Sequence, residues 1–382
     1  MAKLATRTAY YPALTGLRAV AAALVFFYHF NPFKGHPPLS SLAGLLGAVL
    51  NTGIGLNIFF VLSGFVITTR YVDRVALSWA WARYYMLKRF ARIYPLYFLL
   101  SAATFAAMAG HLLTWYTFGA EFTTKAKVIA VLTNLTLTRA LFHSFRFVGV
   151  PTAWSLTVEE AFYVTAPFML LLLRRRPWLL PVLAAGLLGA GLVIGLVSAR
   201  FELYAGFMQP LSFVLQYTYF GRCIEFLTGI SLALWLKKRG PEPAWRGTTL
   251  LGIGLLVASQ FGASLVPAPA AGPPEWARLL SESVVANVWI SFGVAVLFHG
   301  LMHEPTGLRR LLETKLFDVL GKSTYAFYLI HVGLFNDLLQ RAIGYHVLLT
   351  FFIFGGAAVL LHRLVEQPLH TAIVRRFRAG SR

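Results

Sequence analysis

A succession of long apolar runs, separated by short basic clusters, constrains this chain more than any other feature. A bilayer core about 30 Å thick is crossed by roughly 20 mostly apolar residues in a helix. Ten runs reach or approach that length: 11–30, 52–69, 91–110, 158–173, 178–197, 213–236, 248–266, 284–303, 324–341 and 346–365. Backbone in hydrocarbon has no water to bond, so runs of this length cross as helices. Charged residues make up only 13% of the chain, against about 25% in a soluble domain. A water-soluble globular enzyme is therefore excluded. The fold class read from the sequence is an all-α polytopic membrane protein, a bundle of about ten transmembrane helices forming one membrane-embedded domain over 1–382.

Charge placement orients the bundle. The net charge of +20 would suit a nucleic-acid binder if its cations lay on one water-facing surface. Here they sit in clusters between apolar runs, which speaks against nucleic acid and for a membrane. Lys and Arg collect in cytoplasmic loops. If 127–142 does not cross, one side of the membrane receives Lys3 and Arg7, the cluster Arg83 to Arg92, the triple Arg174–Arg176, Lys237 to Arg239, Arg309 and Arg310, and Arg375 to Arg378. That side holds most of the cations and is expected to be cytoplasmic, as are both termini. The stretch 111–157 is then one long external connection, with 127–142 amphipathic or re-entrant, and 267–283 is a plain outer loop. The first run is expected to stay in the protein, since no small-x-small cleavage site follows Phe30. The single cysteine, Cys223, excludes an internal disulfide and any Cys-based metal cluster, and no metal site is expected.

Ionisable groups inside a membrane segment are functional candidates. The first run holds Arg18 and His29, eleven residues apart. At about 100° per residue they fall within some 20° of one face, and at 1.5 Å per residue roughly 16 Å apart along the axis. The bland alternative is that each snorkels to its nearer headgroup layer. Lys88, Arg89 and Arg92 stand where the third run begins. Arg89 and Arg92 share a helical face, a fork suited to phosphate oxygens, unless they are only a cytoplasmic flank. Glu159 and Glu160 stand at the start of the fourth run. One could cap a helix beginning at Ser155, but neighbours on a helix diverge by about 100°, so the other would point elsewhere. A carboxylate near His29 would hold its tautomer and stabilise its charged form. Ser63 and Gly64, in a glycine- and serine-bearing run, either allow close helix packing or thin the wall for a long, narrow ligand. His331 lies in another run, and Glu366 at the end of the last either pairs with the inner arginines or orders a cytoplasmic ligand.

The ordered set Leu14-Thr15-Gly16-Leu17-Arg18 with His29, Phe59-Phe60-Val61-Leu62-Ser63-Gly64-Phe65, Arg89-x-x-Arg92, Trp154-Ser155-Leu156-x-x-Glu159, Ser323-x-Tyr325-x-x-Tyr328-Leu329-x-His331 and Glu366-x-Pro368 closely resembles the acyltransferase-3 family of integral membrane acyltransferases. The resemblance spans about residues 10 to 368. It implies transfer of an acyl group, commonly acetyl from cytoplasmic acetyl-CoA, to a hydroxyl of a carbohydrate or lipid-linked glycan. The family's basic residue and histidine fall on Arg18 and His29, and its arginine pair on Arg89 and Arg92. Many relatives carry an acid where this chain has Asn57.

Together these readings make His29 the general base, with Arg18, Glu159 and Glu160 completing the catalytic set. Arg89, Arg92 and Lys88 are expected to hold the CoA phosphates, and the pantetheine arm to pass Ser63 and Gly64. The rival reading is a transporter whose buried Arg, His and Glu relay protons or substrate. The chain shows no internal repeat of the kind common in such folds.

Overall fold

The computed structural model describes residues 10–36, 41–50, 53–113, 117–119, 121–240, 245–265 and 280–379. Lys3, Arg7 and residues 267–279 of the expected outer loop lie outside them. Among the described residues the apolar runs are helical and no strand forms, apart from one bridge between Phe142 and Phe207.

α1 (Pro12–His29) starts on a proline, whose fixed φ and missing N–H suit the first helical position. The short α2 (Leu42–Leu50) leads into α3 (Ile54–Tyr71). α4 (Trp79–Ala109) begins where the Ser78 hydroxyl accepts from the Trp81 N–H at 3.3 Å, a polar cap on an otherwise orphaned donor. Its 31 residues make a helix about 46 Å long, far longer than a bilayer core. The expected span 91–110 is therefore the second part of a longer helix, and the first part carries the basic cluster.

α5 (Thr124–Leu135) has 12 residues, about 18 Å of helix, too short to cross. Three tight 3-10 turns follow, at Arg139–Leu141, His143–Phe145 and Pro151–Ala153. Arg139 is fully buried and organises them. It donates to Asn134 Oδ1 and the Val148 carbonyl, both at 2.7 Å, and to the Val150 carbonyl. The described residues from Thr124 to Ala153 thus form one short helix and three turns packed around Arg139.

The remaining helices are α6 (Trp154–Arg175), α7 (Leu180–Arg200), α8 (Leu211–Tyr217), α9 (Cys223–Arg239), α10 (Thr248–Leu265) and α11 (Ala286–His303). They are followed by α12 (Gly307–Leu312), α13 (Lys315–Ile330), α14 (Leu334–Ile343) and α15 (Val347–Leu361). A π-turn at His362–Glu366 carries α15 into α16 (Gln367–Ala379).

Seven helical stretches among the described residues are long and apolar enough to cross a membrane. Three expected spans are not among them. Run 213–236 breaks between α8 and α9, where Gly221 folds back against the Leu215 carbonyl so closely that a Cβ would collide with it. Run 324–341 breaks after α13 at Gly333, whose φ of +92° suits glycine alone. Run 248–266 contributes a shorter apolar stretch, Thr248–Ser259.

α3 lies at the middle of the bundle. It meets α9 without intervening side chains: a Cβ on Gly64 would collide with the Phe226 carbonyl, and one on Gly229 with the Val61 carbonyl. Two apolar cores flank it. One gathers Phe26, Phe60, Leu96, Phe162 and Phe226, the other Leu14, Ile58, Phe65, Leu297 and Phe298. The polar side chains of α1, α3, α4, α6 and α13 turn into the spaces these cores leave.

Candidate active site

An inner cavity of about 150 Å³ lies among those five helices. α1 supplies Arg18, α3 supplies Ser63, α4 supplies Arg89 and Arg92, and α6 supplies Glu159 and Tyr163. On α3 the lining residues Phe59, Ser63 and Val66 recur at the spacing of one helical face. Glu159 Oε1 accepts from the Ser63 hydroxyl and the Tyr163 hydroxyl, each at 2.5 Å. The Arg89 guanidinium stands over the Tyr163 ring at 5.4 Å and the Tyr71 ring at 6.0 Å, and its Nε has no hydrogen-bond partner. Arg92 pairs with the buried Glu366, whose other oxygen lies 2.9 Å from His362 Nδ1. Tyr325 ties α13 to α4 by donating to the Ile93 carbonyl at 2.7 Å. Three guanidiniums and one carboxylate line this cavity. The excess is positive, the sign a polyanion needs.

A second, outer cavity of about 450 Å³ holds His29, with Tyr28, Trp154, Tyr217 and Arg222 in its walls. The two cavities share Leu56 and Tyr328. Tyr328 is held rigidly at this neck: its hydroxyl lies 2.7 Å from Ser155 Oγ and donates to the Thr152 carbonyl at 3.0 Å. The Thr152 hydroxyl returns a bond to the Tyr328 carbonyl at 2.9 Å. Arg18 and His29 therefore line two adjacent cavities with shared walls from one face of one helix, as their spacing predicts.

His29 is exposed to its cavity, and its ring lies 5.4 Å from that of the fully buried His331. His331 Nδ1 faces two backbone carbonyls, Tyr328 at 2.9 Å and Phe327 at 3.3 Å. Carbonyls only accept, so Nδ1 carries the proton and Nε2 is left as a bare acceptor. That Nε2 is buried without a partner.

Several expected neighbours are not brought together. Neither glutamate stands with His29: Glu159 is held by Ser63 and Tyr163 in the inner cavity, and Glu160 lines a surface cleft with Trp79, Arg83 and Phe377. The roughly 100° between helical neighbours sends them to different surfaces. Ser155 lies inside α6 rather than capping it. Lys88 turns away from the inner cavity, its Nζ 4.2 Å over the Tyr84 ring. Gly64 faces α9 rather than the cavity, so close helix packing accounts for it.

Sequence reasoning passed over Arg222 and Glu225, which pair at 2.7 Å beside the outer cavity. Two opposite charges three residues apart within an apolar run were the available signal. Asn57 belongs to the same cluster, with its amide 3.4 Å from Glu225 Oε1 and 3.2 Å from Asn287 Oδ1. An amide can donate to Glu225; a carboxylate there could not.

The acyltransferase domain family matches residues 11–362 of the chain. Acyltransferase MdmB of Streptomyces mycarofaciens is 27% identical over 96% of this chain and 93% of its own length. Peptidoglycan O-acetyltransferase OatA of Listeria monocytogenes is 25% identical over 94% of this chain, which spans 56% of that protein. No solved structure matches the chain. With nearly its whole length matched and its apolar helices long enough to span a bilayer, the chain belongs to this acyltransferase family and is a multi-pass membrane enzyme that transfers acyl groups.

Proposed function

We propose that the enzyme moves an acyl group, most simply acetyl, from cytoplasmic acyl-CoA to a hydroxyl of a carbohydrate or lipid-linked glycan. In this reading the chain crosses the membrane ten times with both termini cytoplasmic, α8–α9, α10 and α13–α14 completing the count. The observation that carries the proposal is the pair of neighbouring cavities with Leu56 and Tyr328 in both walls, one lined by three arginines and the other by His29.

Arg89 and Arg92 bind the CoA phosphates through charge-assisted hydrogen bonds. The extended pantetheine arm passes Arg18 and Ser63 and brings the thioester through the neck. The rise of roughly 16 Å from Arg18 to His29 is on the scale of that arm. His29 takes the proton of the acceptor hydroxyl as its oxygen attacks the thioester carbonyl carbon. The carbon–sulfur bond breaks, and the CoA thiolate leaves and takes the proton back from the imidazolium. Acyl ester and free CoA thiol are the products, and the balance needs no other reactant. His331, whose bare Nε2 makes no hydrogen bond in this structure, accepts one from the far N–H of His29 when that ring charges and turns toward it, the task the sequence reading gave to a glutamate.

The test is transfer of label from radiolabelled acetyl-CoA to glycan in membranes. A His29→Ala variant that inserts normally is expected to transfer none. Persistent transfer by that variant would overturn the catalytic assignment.

A further inference from the structure

Beyond His29 a third cavity opens, about 340 Å³ in volume. After α13, Gly333 turns the chain into α14, and a Cβ at that glycine would press on the Pro151 ring. α14 is amphipathic. Leu334 and Phe335 pack into a third apolar cluster with Met108, Ala130 and Phe145, while Asn336, Asp337 and Gln340 line the cavity with Tyr345 just beyond the helix. The Gln340 amide donates to Asn336 Oδ1 at 3.3 Å, so the two carboxamides are already oriented toward each other.

Polar side chains dominate this cavity, whereas Tyr28, Phe147, Trp154 and Tyr217 make the neighbouring outer cavity largely aromatic. His29 and Val332 belong to the walls of both. His29 therefore borders two spaces, one that shares Leu56 and Tyr328 with the arginine-lined cavity and one that does not. An acyl transfer needs two reactants to meet at the base, and two such spaces allow them to arrive separately.

We infer that the polar face of α14 is the acceptor subsite and that it takes a neutral, polyhydroxylated ring. Vicinal hydroxyls each donate and accept, and carboxamides offer both functions side by side. An anionic acceptor would call for a cation in the wall. The nearest on this helix, Arg341, lies 3.9 Å from Asp337 and does not line the cavity. The subsite rests on the acyl-transfer reading above and names where its acceptor binds.

The test uses the full chain in nanodiscs, radiolabelled acetyl-CoA as donor and chitotetraose as acceptor probe. Gln340→Ala and Asn336→Ala are each expected to raise the KM for chitotetraose about 10-fold, the scale of one lost hydrogen bond with its partner left unpaired. CoA affinity, measured by direct binding, should stay within about 2-fold, which also reports that the variant is folded. Tyr345→Phe, at an exposed position, provides a variant that folding tolerates and should raise the same KM. Unchanged chitotetraose KM in variants that bind CoA normally overturns the subsite alone. Wild-type protein that leaves chitotetraose unlabelled overturns the carbohydrate reading, and the subsite with it.

Discussion

Truncating Arg89 to alanine removes the one cavity arginine whose guanidinium faces aromatic rings rather than a carboxylate among the described residues. Arg92, by contrast, is offset by Glu366. A phosphate arriving at Arg89 displaces no counter-charge, so the full charge-assisted bond is gained on binding. Such a bond is worth about 1.5–3 kcal/mol, which at about 1.4 kcal/mol per tenfold is roughly 10- to 150-fold in Kd. Arg89→Ala should weaken CoA binding by that factor, and Arg92→Ala by less, since binding there competes with Glu366. Lys88→Ala should stay within about 2-fold, because its ammonium lies over Tyr84 and outside the cavity. The assay is equilibrium binding of labelled CoA to purified protein at fixed ionic strength, with thermal unfolding as the control for folding. Equal losses in Lys88→Ala and Arg89→Ala would make the effect one of general surface charge and refute the clamp. Unchanged affinity in Arg89→Ala would refute it outright.

Gly64→Val forces side-chain atoms into the Phe226 carbonyl across the α3–α9 contact; overpacking of this kind costs about 1–3 kcal/mol, so Tm should fall while the donor KM of the folded fraction holds. Arg139→Met leaves the carbonyls of Val148 and Val150 without their donor and should lower Tm by an amount corresponding to about 3–5 kcal/mol, read by thermal unfolding in detergent. Glu304, between α11 and α12, accepts from the Gly247 and Thr249 N–H groups and the Thr249 hydroxyl, bonds that hold its carboxyl below the usual carboxylate range. A depressed folded pKa stabilises above the unfolded pKa and is lost as pH falls through the folded one. The Tm gap between wild type and Glu304→Gln should thus be present at neutral pH and close in acid; a gap independent of pH would contradict it. His331→Phe keeps the volume but removes the bare Nε2, and should lower kcat with little change in the KM for acetyl-CoA; an unaltered kcat would remove His331 from the reaction.

Apolar run length, basic clustering and residue spacing made much of this enzyme legible. They yielded the helical membrane class and Arg18 and His29 on one face, and they marked 127–142 as a short segment, where α5 has only 12 residues. They also placed Arg89 and Arg92 together, because three residues apart on a helix is a local fact. Local rules could say that Glu159 and Glu160 diverge, but not which would face the cavity. That choice depends on how α6 is rotated against α3, and the bare-backbone contact of α3 with α9 at Gly64 and Gly229 sets where α3 lies.

Other features had no local trace. A run-length count joins helices that the backbone separates, at Thr218–Arg222 and at Gly333. The ring beside His29 that the proposed reaction uses is that of His331, remote in sequence and brought near because Gly321 lets α13 close against the Thr15 carbonyl of α1. The polar face of α14 lay within what the sequence presents as an apolar span, and only the turn at Gly333 swings it toward His29. Periodicity acts over a few residues and so determines each helix and which residues share its faces. Which faces meet depends on close approach between distant segments, and that is a property of packing alone.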